Sequence, residues 1–277
     1  MRATSGQPLP KGLRDTDMGT AQTAPKGRPR KAQGVWYYLS YLRSLLFTNL
    51  LIYFYTAVCG TLSLCASLLD SRGRWQHAFA RLWSSLILTT SGIRTRVEGI
   101  ENVVPHKAAI YCANHQSAMD IPILFVNLPV QFRFVAKRSL FKMPFLGWHL
   151  KRSGHIPVDR ERPREAMRSL DEAAEKIRAG SSVLLFPEGH RSRDGKIGPF
   201  KAGSFYLAIQ SGVSVVPITL NGTRAVLKPG TYHVRAGQTE MIVHPPIPTG
   251  TLTRDDVEAL SEKVRARITS RFVACDS

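Results

Sequence analysis

After Gly92 the sequence alternates short apolar segments with longer amphipathic ones, and this alternation limits the fold more than any other feature. The apolar segments predict strands at residues 95–98, 108–113, 132–136, 155–158, 182–186, 214–220 and 239–244. Between them, residues 164–179, 204–210 and 255–272 have the apolar periodicity of helices. Strands that alternate with helices pack as a layered α/β domain, so we expect a mixed β-sheet flanked by helices.

A first polar motif, Asn-His-Gln-Ser-Ala-Met-Asp at residues 114–120, directly follows one of these predicted strands. Histidine is the side chain best suited to take a proton near neutral pH, and a carboxylate that accepts from one ring N–H fixes its tautomer. At their spacing, His115 and Asp120 do not share one face of a helix. They meet if His115 lies in the turn before a helix and Asp120 in its first turn. The motif therefore predicts a general base at a strand end.

Three other interpretations of this motif stay open from the residues alone. His115 and Asp120 fit a surface histidine beside a helix-capping aspartate. With His190 they fit a metal site, although no ligand pair has the spacing typical of one. Cys112 or Ser117 is a conceivable covalent nucleophile, but a cysteine in an apolar strand is usually part of the core.

A second polar motif, Phe-Pro-Glu-Gly-His-Arg-Ser at residues 186–192, ends another predicted strand. Its proline and Gly189 stop the strand abruptly and hold Glu188 near the strand end, where open α/β sheets bind ligands. The guanidinium of Arg191 can bind phosphate through two hydrogen bonds. Two further cations also follow predicted strands, Lys137 and Arg160. We expect several of these groups to meet at one sheet edge.

The two motifs resemble sequence blocks of the glycerophosphate and 1-acylglycerol-3-phosphate acyltransferases. The first block of that family, Asn-His-x-Ser-x-x-Asp, is matched at residues 114–120. Its third block, Phe-Pro-Glu-Gly-Thr-Arg-Ser, is matched at residues 186–192, except that His190 replaces the usual threonine. Residues 154–160 and 216–218 resemble the second and fourth blocks, so the resemblance covers roughly residues 94 to 270.

The resemblance implies transfer of an acyl group to the sn-2 hydroxyl of 1-acylglycerol 3-phosphate, which gives phosphatidic acid. The donor would be a thioester, either acyl-CoA or acyl carrier protein, and neither a cofactor nor a metal would be needed. Glycerol 3-phosphate or another lysophospholipid stays open as the acceptor. A lipid hydrolase or transacylase that uses the same histidine and aspartate also stays open. The family's fold, a mixed sheet flanked by helices, agrees with the strand pattern.

The resemblance also implies roles for single residues. His115 would be the general base and Asp120 the carboxylate that orients it. The implied substrate-binding residues are Glu188 for the glycerol portion, Arg160 and Arg191 for the phosphate, Gly189 for close backbone approach and Pro217 for the acyl-donor side. Lys137 is added to this set because of its position after a strand.

The net charge of the chain limits its partners. The 277 residues carry a formal net charge of +18 and have a pI of about 10.2, so the protein should bind anionic partners. Neither zinc-finger spacing nor an aromatic RNA-binding signature is present, whereas a long apolar stretch is. We therefore expect anionic membrane lipid, and no nucleic acid, as a partner.

The N-terminal third predicts a membrane anchor. Residues 1–34 have the composition of a disordered basic arm, residues 35–92 form a predicted helical anchoring segment, and residues 93–277 form the acyltransferase domain. Residues 45–69 contain no charge and are long enough to cross the bilayer core. Positive charge flanks both ends, which favours a helical anchor in one leaflet, bent near Gly60, over a simple span.

The four cysteines show no pairing pattern, which fits a reducing compartment. We therefore expect a membrane protein whose catalytic domain lies on the cytoplasmic face, at the inner membrane if the source is bacterial. An apolar cluster that includes Phe145, Leu146 and Trp148 fits contact with lipid or an acyl chain, and it fits core packing equally well.

Overall fold

The computed structural model describes residues 34–70, 72–158 and 163–275, without the side chains of residues 163–168. The predicted basic arm at residues 1–34, apart from Gly34, therefore lies outside the described residues, and so does Arg160. By their contacts, residues Val35–Ser277 form one compact unit.

The centre of the fold is a seven-stranded sheet in the order β1-β7-β6-β2-β5-β3-β4. Its strands are β1 (Ile93–Glu98), β2 (Ile110–Ala113), β3 (Phe132–Lys137), β4 (Ile156–Val158), β5 (Ser182–Leu185), β6 (Val215–Asn221) and β7 (Gly237–Val243). Neighbouring strands are parallel except β6 and β7, which are antiparallel. The sheet is therefore mixed, as the sequence predicts.

Helices cover both faces of this sheet. They are α1 (Val35–Arg43), α2 (Asn49–Ala66), α3 (Arg74–Ser91), α4 (Asp120–Asn127), α5 (Leu146–Arg152), α6 (Pro163–Arg178), α7 (Ala202–Ser211), α8 (Thr223–Val226) and α9 (Val257–Thr269). Because side chains alternate along a strand, Tyr111 and Ala113 of β2 join one core with α3 and α4. Ile110 and Cys112 point into a second core with α6, α7 and α9.

The N-terminal helix is long and unbroken. A π-helical turn at Ser44–Thr48 joins α1 to α2, so that Val35–Ala66 forms one helix of 32 residues, about 48 Å at 1.5 Å per residue. Within the described residues, this is the one helix long and apolar enough to cross a membrane. The helix continues past Gly60, where an added Cβ would meet no other atom within 4 Å. The chain turns only after Ala66, so the bend expected at Gly60 is wrong.

The long helix presents its small polar residues to the domain and its large apolar residues outward. Ser44, Thr48 and Ser63 are buried, whereas Phe47, Leu50 and Phe54 are exposed. The Oγ of Ser44 donates to the carbonyl of Tyr232 at 2.9 Å and accepts from the N–H of Val234 at 2.8 Å. Asn49 also donates to Tyr232, at 2.8 Å, and at the other end Ser63 hydrogen-bonds His149 at 3.2 Å. Polar residues that interrupt the apolar run in sequence thus form the attachment to the domain.

Candidate active site

A side-chain amide starts the turn that follows β2. Backbone pairing of β2 with β6 ends at Ala113 and Ile218. One residue later, the side chain of Asn114 accepts from the N–H of Leu220 at 2.7 Å and donates to its carbonyl at 2.9 Å. The buried amide therefore acts as one more rung of the sheet and fixes the chain just before His115.

The side chains of His115 and Asp120 meet as the spacing predicts. His115 lies in the turn, and Asp120 is the first residue of α4. The Nδ1 of His115 is 2.7 Å from Oδ2 of Asp120, whose side chain is fully buried. The same oxygen accepts the N–H groups of Gln116 at 2.8 Å and Ser117 at 2.9 Å. Because an ionised carboxylate only accepts, Nδ1 carries the proton and Nε2 is left as the proton acceptor.

The aromatic ring of Phe186 fixes the plane of this imidazole. The two ring centroids are 3.9 Å apart, with an angle of 14° between the planes. Phe186 follows β5 directly and packs against the core shared with α3 and α4. The side chain of His115 is 14% exposed, so its free edge remains accessible. A ring face also attracts a cation, so this stacking would stabilise His115 as an imidazolium.

The second motif holds the first one in place. Oε1 of Glu188 accepts the backbone N–H of His115 at 2.7 Å, and Oε2 accepts that of Gly198 at 3.1 Å. The N–H of Ser192 donates to the carbonyl of His115 at 2.8 Å. Burial raises the pKa of the Glu188 carboxyl, and these two N–H donors act against that rise. Both carboxylate oxygens thus bind backbone, and the glycerol contact implied for Glu188 stays a prediction.

Two exposed cations follow strands whose ends lie at the same sheet edge as the turn. Arg191 is exposed in the second motif, and Lys137 is exposed at the end of β3, the strand beside β5. Gly189 has φ +77°, and the side chain of Lys201 crosses it so closely that a Cβ there would lie 2.8 Å from its Cε. Lys201 therefore joins the cations near the site, and sequence reasoning missed it.

Arg224 was also missed. This buried guanidinium, on α8, donates to the carbonyls of Ser192 at 3.0 Å and Arg193 at 2.7 Å. It thereby fixes the segment that carries Arg191. The only sequence signal was an arginine shortly after an apolar strand, which is too common to be informative.

Two predicted residues lie deeper in the sheet. Pro217 is buried in the middle of β6, opposite Cys112, and its proposed role on the acyl-donor side stays a prediction. Cys112 itself is fully buried in the core on the α6 side. Burial raises the pKa of its thiol far above the usual range, so the structure disfavours a covalent cysteine.

Comparison with known proteins identifies a family that this sequence matches. A family model described as Acyltransferase matches residues 94–221. A 1-acyl-sn-glycerol-3-phosphate acyltransferase of Saccharomyces cerevisiae is 34% identical over 235 residues, which cover 82% of this chain and 76% of the yeast protein. A chloroplastic 1-acyl-sn-glycerol-3-phosphate acyltransferase of Brassica napus is 37% identical over 178 residues, covering 64% of this chain and 51% of the relative. The chain spans about half the length of such plant and algal relatives.

A solved structure supports the assignment. The 1-acyl-sn-glycerophosphate acyltransferase PlsC of Thermotoga maritima superposes with a TM-score of 0.67 and is 27% identical. The match covers 84% of this chain and 99% of that one. The long match with the yeast relative and this shared fold confirm the predicted resemblance, and the chain belongs to the 1-acyl-sn-glycerol-3-phosphate acyltransferase family.

Proposed function

We propose that this protein transfers an acyl group from a thioester to the sn-2 hydroxyl of 1-acylglycerol 3-phosphate, giving phosphatidic acid. The observation that carries the proposal is the 2.7 Å contact between His115 and Asp120, which leaves Nε2 as an oriented base. Membership of the family named for this reaction supports the same acceptor.

The proposed reaction is a direct transfer. Nε2 of His115 takes the proton of the acceptor hydroxyl while the hydroxyl oxygen forms a bond to the thioester carbonyl carbon. Asp120 stabilises the resulting imidazolium. The tetrahedral intermediate then loses the thiolate as the C–S bond breaks, and the imidazolium returns its proton to that sulfur. No metal or covalent enzyme intermediate is required in this sequence of steps.

Three backbone N–H groups of the turn, those of His115, Gln116 and Ser117, are already used and do not supply the oxyanion donors. The N–H of His115 donates to Glu188, and those of Gln116 and Ser117 donate to Asp120. These groups hold the base in position, so the negative charge on the carbonyl oxygen needs donors from elsewhere.

The acceptor phosphate would be held by cations at the same sheet edge. Arg191 and Lys137 are exposed there, and Lys201 lies across Gly189. Arg160 would join them from the segment outside the described residues. A phosphate bound by several cations would bring the neighbouring sn-2 hydroxyl to the base.

The outward apolar face of the long helix supports a position in the membrane. Leu45, Phe47, Leu50 and Phe54 form an exposed apolar surface, of the kind that contacts lipid or another protein. The buried side of the same helix includes Ser44, Thr48 and Ser63. Both ends of the helix are bonded to one domain, through Tyr232 near the start and His149 near the end. A helix attached in this way lies along the domain and enters one leaflet without crossing the bilayer.

The proposal also covers the type of acyl donor and the side of the membrane on which the catalytic domain lies. All four cysteines are free, which supports a reducing compartment and hence the cytoplasmic face. Either acyl-CoA or acyl carrier protein fits there as a soluble thioester donor.

The test is incubation of the purified protein with a panel of lysophospholipids, glycerol 3-phosphate and both donors, followed by mass analysis of the lipids. We expect phosphatidic acid from 1-acylglycerol 3-phosphate, and at least about a hundredfold less with His115→Ala. Free fatty acid without new phospholipid would favour a hydrolase. Tags on the two termini that report opposite faces of the membrane would contradict the one-leaflet anchor.

A further inference from the structure

A turn with an unfavourable backbone conformation carries one exposed aromatic side chain. The N–H of Leu146 donates to the carbonyl of Pro144 at 2.6 Å, so that Phe145 is the centre of a γ-turn with φ +58° and ψ −61°. A bulky residue adopts positive φ only where its surroundings impose it. Two residues on, Gly147 packs so tightly against Phe141 that any Cβ would collide with the Phe141 carbonyl oxygen, which holds this segment close to the domain. The side chain of Phe145 is nevertheless exposed.

The presented side chain is part of a larger apolar surface. Phe145 is 69% exposed and Trp148 is 57% exposed, with their rings 5.6 Å apart. Two leucines at the end of the long helix continue this surface, and one of them, Leu69, is 92% exposed. We call this set the tip surface, and its members are Leu68, Leu69, Met143, Phe145, Leu146 and Trp148.

A crevice with a basic rim opens beside the tip surface. It has a volume of about 620 Å³ and lies between the C-terminal end of α2 and α5. Apolar side chains that include Leu64, Leu68 and Trp148 line it, and Lys151 and Arg152 are its charged members. Both cations are exposed, and no acidic residue is among the lining residues. An apolar floor with cations at the rim matches a phospholipid, whose anionic phosphate lies directly above its acyl chains.

We propose that the tip surface and this crevice form a second membrane contact, which binds anionic phospholipid separately from the active site. Phe145 and Trp148 would insert at the level of the headgroups, while Lys151 and Arg152 bind a lipid phosphate. The tip surface adjoins the C-terminal end of α2, because Leu64 of that helix and Leu68 just after it line the crevice together with Trp148. The proposal rests on the proposed membrane position of α2.

A second contact has a geometric consequence. If the long helix were the only contact with the membrane, the domain could rotate about the axis of that helix. The tip follows β3, whose carboxyl end lies at the same sheet edge as the turn that carries His115. Contact at both places would therefore fix that edge against the bilayer, where the acceptor headgroup lies.

The test measures binding of the full-length protein to vesicles of phosphatidylcholine with or without phosphatidylglycerol. Phe145→Gly removes the inserted ring and relieves the positive φ, so we expect weaker vesicle binding with a raised or unchanged melting temperature. Adding Trp148→Gln should bring the loss of affinity to about tenfold or more. Lys151→Gln with Arg152→Gln should weaken binding roughly tenfold on anionic vesicles only.

A matched control tests whether the effect of removing charge is specific to the crevice. Lys263 and Arg267 are exposed on α9, which packs on the opposite face of the sheet. Lys263→Gln with Arg267→Gln removes the same charge, and we expect it to leave vesicle binding within about twofold of wild type. An equal loss in the control pair would mean that net charge alone drives binding, which overturns the crevice.

Depth and activity give independent measurements. A bimane label on Phe145→Cys, in a background with Cys65→Ser and Cys275→Ser, should be quenched by lipids that carry a nitroxide near the headgroup. An unquenched label, or wild-type binding by both tip variants, overturns the proposal. Turnover of a monomeric short-chain acceptor should stay close to that of wild type in the tip variants. Because vesicle binding is measured without substrate, a failure of the proposed reaction would be seen separately.

Discussion

The carboxylate of Glu188 accepts a hydrogen bond from the backbone N–H of His115 at 2.7 Å, so the second motif holds the peptide that carries the proposed base. This relationship gives Glu188 a structural task. Each carboxylate oxygen of Glu188 accepts one backbone N–H. In Glu188→Gln only one oxygen remains as an acceptor, and the new NH₂ group faces the second N–H donor. We expect the free energy of unfolding to fall by about 2 kcal/mol, together with a lower kcat. Chemical denaturation and steady-state kinetics check both. A raised KM with unchanged stability and kcat would instead indicate a contact with the glycerol portion alone.

The pairing of His115 with Asp120 predicts large losses of turnover. His115→Ala removes the base, and we expect kcat to fall by about 10² to 10⁴. Asp120→Asn keeps the shape but loses the negative charge that fixes the Nδ1–H tautomer, so its kcat should fall by a similar factor. Thermal melts establish that each variant is folded.

Cys112→Ala is the matched control for this pair, because Cys112 is close in sequence but lies in the opposite core. We expect it to retain turnover. A trapped acyl-thioester on Cys112 in the wild type, with an inactive variant, would contradict direct transfer.

Arg191 is exposed next to the turn, and its loss should affect acceptor binding more than chemistry. We expect Arg191→Ala to raise the KM for 1-acylglycerol 3-phosphate about tenfold or more, since a charge-assisted contact to phosphate is lost. Arg267→Ala, on the opposite face of the sheet, removes the same charge and should leave KM unchanged. Equal effects of the two substitutions would argue against a phosphate contact at Arg191.

Buried histidines between the sheet and the helices predict a loss of stability in acid. Burial, with a smaller contribution from nearby charged groups, lowers the pKa of His155 to about 3 and that of His77 to about 4. The unfolded chain therefore binds more protons between about pH 3 and 6.5, and stability falls as the pH drops below about 6.5. Nδ1 of His155 accepts the N–H of Phe134 at 2.8 Å, a bond that an asparagine oxygen can replace.

His155→Asn should therefore reduce the pH dependence of the unfolding free energy by about 1.4 kcal/mol per pH unit in the steep part of this window. Urea unfolding at a series of pH values measures the slope. An identical slope in the wild type and the variant would show that His155 does not carry the effect.

The fold was largely predictable because its signals are local. Each predicted strand is present within a few residues, since apolar runs that end at glycine, proline or polar motifs leave few alternatives. The meeting of His115 and Asp120 was predictable for the same reason, because the few residues of one turn decide it. Phe186, Lys201 and Arg224 act on segments that are distant in sequence or on backbone, and no short pattern indicates such contacts.

The polar residues of the long helix show where sequence reasoning went wrong. Asn49 and Ser63 are polar residues within the apolar stretch at residues 45–69, and the sequence alone gives them no partner. Their partners, Tyr232 and His149, lie far along the chain, so their role depends on tertiary structure. Hydropathy measures how apolar a helix is, but it does not tell which side meets the protein.

The polar residues on the inward side of the long helix bind the domain, so the helix is part of the fold and cannot be deleted as if it were a separate tether. Removing it would leave the carbonyl of Tyr232 and the N–H of Val234 without their present partners, Ser44 and Asn49. In water, the apolar outward side of the long helix stays exposed to solvent. In the proposed membrane position, lipid covers this side of the helix and stabilises the folded protein, so the melting temperature should rise when vesicles are supplied.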